Sequence, residues 1–322
     1  MSSTRSNGTQ RFDEDSYRTE VEYIANEVRE GRCILFLGSA IHAAAPNCSK
    51  YKYPADKCPL IGSQLSHLLA QRSGYPDGDS YNLQRVAWHY ESRRFFRQHL
   101  INEVRTAVHA GREPSPVLRG LARLGFPLVI TTNYDQLYEQ ALHQVAQEQA
   151  RAQGKSETEV AQVQAEFDKC VYAKHLGKQP TKDCAKRPSS ARPYLLKLHG
   201  DIFQDESIVI TDEDYIQFVL RMTDPPSHRP IGETMLTHLK RWPTLFIGYS
   251  LKDYNLRLLF KSLRWKLDEA KLVPTYSVDV EPDVLIQYVW QERRGYIKFI
   301  EKNLWEFVPD LYRAVTNQDM PQ

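Results

Sequence analysis

Cysteine is scarce in this 322-residue chain. Its five cysteines, Cys33, Cys48, Cys58, Cys170 and Cys184, are an odd number, and none falls in a CxxC pair. That argues against a secreted disulfide framework and against a four-cysteine zinc module. Long apolar runs are missing too. None approaches the roughly 20 residues that a membrane span requires, and residues 1–10 are polar, without the apolar core of a signal peptide. Nor does one sign of charge dominate. Lys and Arg total 42 against 40 Asp and Glu, the two signs are interleaved, and there is no polybasic tail. A dedicated nucleic-acid binder normally shows a basic excess or stripe. No internal repeat is visible. The expectation is a cytoplasmic protein with no membrane partner and no direct nucleic-acid contact.

What is present is ordinary for a globular protein, with 41% hydrophobic and 25% charged residues. At about 150 residues per domain, the length suggests two domains, or one large α/β domain with an insertion. A chain this long buries a full core without staples. A polar leader, residues 1–13, reads as disordered, and 14–322 as the folded domain. Tyr17, Val21, Ile24, Ala25 and Val28 stand at helical spacing, and Gly31 ends that helix. Residues 33–37 form a short all-apolar run, the pattern of a strand buried on both faces. Similar runs follow at 127–131, 194–198, 244–247, 275–278 and 296–300. Residues 41–62 have loop composition, and helical patterns resume around Leu65 and from Leu83 to Val104. Trp88, Phe95 and Phe96 in that stretch read as core packing. Strands alternating with helices predict an α/β fold with a mostly parallel sheet flanked by helices. From about 144 to 192 the chain is rich in Gln, Ala, Glu and Lys. That segment reads as an inserted helical excursion carrying little of the core, and serving assembly or solvated decoration.

The polar residues cluster just beyond the strand C-termini, where open α/β sheets bind ligands. Gly38-Ser39-Ala40 after the first strand suits close backbone approach to a phosphate. The full GxGxxG fingerprint is absent, however, and a tight turn explains a lone glycine equally well. Thr131-Thr132-Asn133 puts three hydrogen-bonding side chains at the second strand end. Asp135 fits a helix cap at least as well as a ligand contact. His199 stands beside Gly200 and Asp201 at the third strand end. There a histidine is a plausible general base.

The order of these motifs is more specific than any one of them. Gly38-Ser39-Ala40, Thr131-Thr132-Asn133-Tyr134-Asp135, Lys197-Leu198-His199-Gly200-Asp201 and Gly248-Tyr249-Ser250-Leu251-Lys252-Asp253-Tyr254-Asn255 follow one another, with Asp279 after a later strand. Together they resemble the sirtuin-like family. The match is best with its prokaryotic, NAD-hydrolysing branch in antiphage defence systems, which also carries a Thr-x-x-Asp-Tyr segment, here Thr211 to Tyr215. The resemblance implies a Rossmann-like fold, NAD+ as substrate and no metal. It implies Asn133 and His199 as the catalytic pair, and Gly38, Ser39, Ala40, Thr132, Asp135, Gly248, Tyr249, Ser250 and Asp279 as NAD-binding residues. It further implies a homo-oligomer and a partner ATPase or sensor protein. This chain departs from deacylating sirtuins in its reduced glycine loop, with no arginine after it, and in having no cysteine within 201–247. The missing zinc module turns the expectation from protein deacylation toward hydrolysis of NAD+ to nicotinamide and ADP-ribose. A deacylase and a non-catalytic NAD- or ADP-ribose-sensing subunit are the rival readings.

Overall fold

A computed structural model of the chain describes residues 14–76, 78–94, 96–172, 188–221, 231–249, 273–292 and 297–322. The leader, Cys184, Ser250 and the rest of the Leu251-to-Asn255 motif lie outside them. Seven short strands make one sheet: β1 (Ile34–Leu37), β2 (Leu128–Thr131), β3 (Asp168–Val171), β4 (Tyr194–Lys197), β5 (Thr244–Ile247), β6 (Thr275–Val278) and β7 (Lys298–Ile300). Their order is β3-β4-β2-β1-β5-β6-β7, and every pairing is parallel. The chain therefore builds outward from β1 to one side and then returns to lay β5 on the other side of β1. This reversal between β1 and β5 is a topological switch point, where the following loops diverge and leave a crevice.

The strand sequences explain the layers. Side chains alternate between faces along a strand, so a strand apolar at every position feeds two cores. Leu35, Leu37, Val129, Leu195, Leu245 and Ile247 enter one core. There they meet α1 (Glu14–Arg29), α5 (Pro116–Arg123), α6 (Leu137–Ala152) and α11 (Leu304–Thr316). Ile34, Phe36, Leu128, Ile130, Leu196 and Phe246 enter the other, under α8 (Asp212–Arg221), α9 (Glu233–Arg241) and Ile286 of α10 (Val284–Glu292). The result is a Rossmann-like α/β/α sandwich. The five apolar positions expected on the first helix are all buried in α1.

A third cluster is set apart from the sandwich. Helices α2 (Gly62–Ser73), α3 (Leu83–Arg94) and α4 (Arg97–Val108) pack together through Leu65, Leu69, Val86, Leu100 and Val104. Tyr134 and Ile202, from the segments leaving β2 and β4, join them, so this cap stands over the strand C-termini. Two aromatic assignments change here. Trp88 is 57% and Phe96 63% exposed, because α3 turns Val86, Ala87 and Tyr90 inward and Phe96 precedes the first turn of α4. Side-chain placement at Phe95 falls outside the described residues.

The 144–192 segment holds the end of α6, a short helix α7 (Glu157–Gln162) and also β3, which pairs with β4. The composition of β3, Asp-Lys-Cys-Val, gave no sign of a strand. Among the described residues no helix is long and apolar enough to cross a membrane.

Candidate active site

The crevice at the switch point is closed by two glycines. Gly248, after β5, has φ +77°, and a Cβ there would lie 2.4 Å from Ile41 N. A Cβ on Gly38, after β1, would lie 2.4 Å from Gly248 O. Neither position has room for a side chain, and this packing locks the two loops together. The Ala40 N–H donates to Gly248 O at 3.0 Å and the Ile41 N–H to Gly38 O at 3.2 Å. The first bond ties this loop to the one after β5, and the second closes its own turn. Ser39 Oγ accepts the Gly62 N–H at 3.2 Å, which leaves its own hydroxyl proton to donate. Tyr249 reaches across to the β2 end, its hydroxyl 2.8 Å from Thr132 Oγ1.

The β2 end carries the densest polar set. Thr131 Oγ1 donates to Leu37 O at 2.8 Å and accepts the Asn133 N–H at 3.0 Å, fixing the turn to its neighbour strand. The Asn133 amide nitrogen is 3.3 Å from Gly38 O and 3.4 Å from His42 Nε2. Asp135 divides its carboxylate. Oδ1 accepts the N–H of Leu137, the first helical residue, at 2.9 Å from one position before the Gln136 N-cap, while Oδ2 lies 3.2 Å from His42 Nε2. Burial by itself raises the Asp135 carboxyl, yet His42, Lys197 and the Leu137 N–H outweigh it and hold the pKa down to about 2.

Beneath this turn lies a buried charge network. Lys197, the last residue of β4, is fully buried, and its ammonium donates to Tyr134 O at 3.2 Å and to Asp135 O. Asp201 Oδ2 at 3.2 Å and Glu139 Oε1 at 3.5 Å balance its charge. Lys169 on β3 shares both of those carboxylates, at 3.0 and 3.6 Å. Burial raises the Asp201 carboxyl, but Lys197, the Phe203 N–H, Gln136 and Lys169 bring it below its ordinary range. Lone buried ions are costly, and a network in which each has opposite partners is how a fold carries them. Its effect is local: two carbonyls of the Asn133 turn are clamped to the neighbouring strand.

His199 is in different surroundings. It is 7% exposed, with the Tyr215 and Phe218 rings edge-on to it at 4.9 and 5.4 Å. Its Nδ1 pairs with the Tyr215 hydroxyl at 3.2 Å. Burial pushes its pKa down to about 3, so the ring is neutral and its polar atoms act as a hydrogen-bond acceptor and donor. Gly200 beside it has φ +92°, and a Cβ there would strike Ser207 O at 2.4 Å. Only glycine fits that turn.

These elements surround a cavity of about 640 Å³, within the usual range of roughly 300–1,000 Å³ for ligand sites. Ser39, Ala40, Thr132, Asn133, Asp135, His199, Gly248 and Tyr249 all line it, and Gly38 stands behind, held by its contacts to Asn133 and Gly248. Asp279 is placed elsewhere. It follows β6, its Oδ1 accepts the Glu281 N–H at 3.1 Å, and it is not among the residues lining the cavity. The opposite wall comes from the helical cap, through Ser63, Tyr81, Asn82 and Gln84.

Residues 127–298 of the chain match the SIR2-like domain family, more than half its length. The chain belongs to that family. Among relatives of this SIR2-like chain, the protein named NAD(+) hydrolase ThsA from Acinetobacter baumannii is 24% identical over 251 residues, covering 78% of this chain and 43% of the relative. A second protein of that name, from Enterococcus faecium, is 30% identical over 160 residues, 50% of this chain and 27% of its own. Defense-associated sirtuin 2 of Bacillus subtilis is 27% identical over 143 residues, 41% of this chain and 13% of its own. The SIR2-like chain thus spans less than half the length of each.

Of the lining residues missed in the sequence, three are instructive. His42 stands in an unremarkable Ala-Ile-His-Ala string, and its partner Asp135 is 93 positions away. Tyr215 was visible only as the end of Thr-x-x-Asp-Tyr. Asp214 in that motif caps α8, accepting the Ile210 and Thr211 N–H groups at 3.0 and 3.2 Å, and this directs the next residue toward His199. The third, Asn82, carried no signal at all.

Proposed function

We propose that this chain hydrolyses NAD+ to nicotinamide and ADP-ribose, and that it does so in antiphage defence by depleting NAD. The observation that carries the reading is that Asn133 and His199, from adjacent parallel strands, open on one cavity beside a small-residue crevice. Relatives that bear the name NAD(+) hydrolase support it.

The chemistry asks little of the protein. Nicotinamide departs from a positively charged pyridinium, and the ribose passes through an oxocarbenium-like state, as in glycoside cleavage. A site for this reaction must hold the dinucleotide, orient the ribose and place a water. In this reading Ser39, with Gly38, Ala40, Gly248, Tyr249 and Ser250, frames the phosphates and ribose. Since the Ala40 and Ile41 amides are engaged by Gly248 O and Gly38 O, the Ser39 hydroxyl is a donor this loop offers. Asn133 presents its amide oxygen to a ribose hydroxyl or to the attacking water. His199, held neutral, accepts a hydrogen bond from the same groups. A base with a pKa of about 3 takes a proton only fleetingly near neutral pH, so His199 works chiefly by orientation. Thr132 and Asp135 shape the Asn133 turn. Assembly into oligomers, and control by a partner ATPase or sensor, complete the proposal.

The test is incubation with NAD+, alone and with candidate partner proteins, while free nicotinamide and ADP-ribose are followed. Equimolar release of the two is expected. NAD+ that stays intact under every condition, with ADP-ribose binding retained, would replace hydrolysis by sensing.

A further inference from the structure

His42 is 2% exposed and has three notable features. Its Nε2 lies 3.2 Å from Asp135 Oδ2 and 3.4 Å from Asn133 Nδ2. Its Nδ1 is buried and has no hydrogen-bond partner among the described residues. One ring nitrogen cannot donate to one neighbour and accept from the other, so the position of the ring proton decides which contact is a hydrogen bond.

Elementary donor and acceptor counting settles that position. An ionised carboxylate only accepts, and Asp135 is ionised, its charge stabilised against burial by His42 itself, then by the nearby Lys197 ammonium and the Leu137 N–H. Whether the ring is neutral or charged, Nε2 must therefore carry a proton toward Oδ2. In the neutral ring this leaves Nδ1 as a bare lone pair. That is the cheaper way to bury an unpaired nitrogen, since orphaned N–H groups are rarer than under-satisfied acceptors. A protonated Nε2 cannot accept from Asn133, so Gly38 O is the acceptor left for the Asn133 amide nitrogen.

We propose that His42 and Asp135 are a positioning pair for Asn133. The Asp135 carboxylate fixes the proton on His42 Nε2, and the N–H so held denies the amide a second acceptor. The NH2 end of Asn133 then stays on the Gly38 carbonyl, and its oxygen faces the cavity. The proposal rests on the reading of Asn133 as the catalytic amide. Neither His42 nor Asp135 exchanges a proton with substrate in it.

Nitrogen-15 NMR of the histidine rings in the full chain tests the idea without any activity. The expected wild-type spectrum shows His42 protonated at Nε2. In Asp135→Asn, which keeps the side-chain size and the Leu137 bond, that proton is released from its fixed place and the Asn133 side-chain amide signal shifts. Kinetically, Asp135→Asn and His42→Leu lower kcat for NAD+ by about tenfold or more, as misplacement of a catalytic group does, while KM changes less than about twofold. His42→Gln, which restores an N–H toward Asp135, recovers part of kcat. A neutral wild-type ring protonated at Nδ1 alone, or a folded His42→Leu with wild-type kcat, overturns the pair. Should the wild-type chain release no nicotinamide, the hydrolysis reading falls, and the ring spectrum still decides the pairing. If His42→Leu fails to fold, the wild-type and Asp135→Asn spectra decide it.

Discussion

The two histidines of the cavity are the same residue held by opposite means. His42 is fixed by charge: an ionised Asp135 lies against its ring, with the Lys197 ammonium and two more carboxylates behind. His199 is fixed by apolar packing, between the edges of Tyr215 and Phe218, and burial alone keeps it neutral. On the first side, removing a partner strands a buried ion. On the second, nothing is stranded, and the cost of adding a proton is what defines the site. The contrast assigns the work: the charged side positions Asn133, and the apolar side supplies a neutral hydrogen-bonding ring.

The largest effect should come from breaking the charged side at its base. Lys197→Met leaves Asp201 and Glu139 sharing Lys169 alone, and loss of one partner from a buried ionic group costs about 3–5 kcal/mol. Denaturant unfolding should place the loss near the lower end, because Lys169 remains. A stability within about 0.5 kcal/mol of wild type would show that the network is not what holds this wall. Next come the two cavity residues themselves. Asn133→Ala and His199→Ala should each lower NAD+ turnover by at least about 10²-fold, the size of a lost acid–base or orienting group. Nicotinamide release at wild-type rate in either variant removes that residue from the mechanism.

A third test separates the two sides by pH. His199 takes up a proton only near pH 3 in the fold, but near its usual 6.5 when the chain is unfolded. Between those values the unfolded state binds more protons, so stability declines as the pH falls from about 6.5 toward 3. Asp135, held at about 2 against its usual 3.8, adds a second decline as the pH falls below about 4. Melting temperatures measured from pH 7 to 4 should therefore fall in wild type and fall less steeply in His199→Gln. Parallel curves for the two proteins would mean that another group carries the upper window.

Much of this arrangement could be read from local pattern. Strands such as Ile34–Leu37 and Leu128–Thr131 are apolar at every position because both their faces are covered, and a run of that kind shows itself in a few residues. The motif residues at strand ends were legible because a parallel sheet sends all its C-termini to one edge. Asn133 and His199 needed only their positions after β2 and β4 to be brought together. α1 was legible from its spacing alone.

What stayed hidden depends on partners far away in the chain. β3 lies at the sheet edge and carries Asp168 and Lys169, so it lacks the apolar run that marks an inner strand. Its place comes from pairing with β4 and from the salt bridges of Lys169. Lys197 is the lone charge in the 194–198 run, and only the convergence of β4 with the Tyr134–Asp135 turn and α6 makes it a buried clamp. Trp88 looks like core and is exposed, since the rotation of α3 against α2 and α4 decides which of its faces is inward. His42 has no local signature, and its role arises when β1 and β2 lie side by side and bring Asp135 to its ring. Sequence determined the strands other than β3 and which ends carry chemistry, because apolar runs and turn composition are local. Tertiary structure decided which polar groups are buried together, because desolvation and charge pairing act through space between residues that the chain itself keeps far apart.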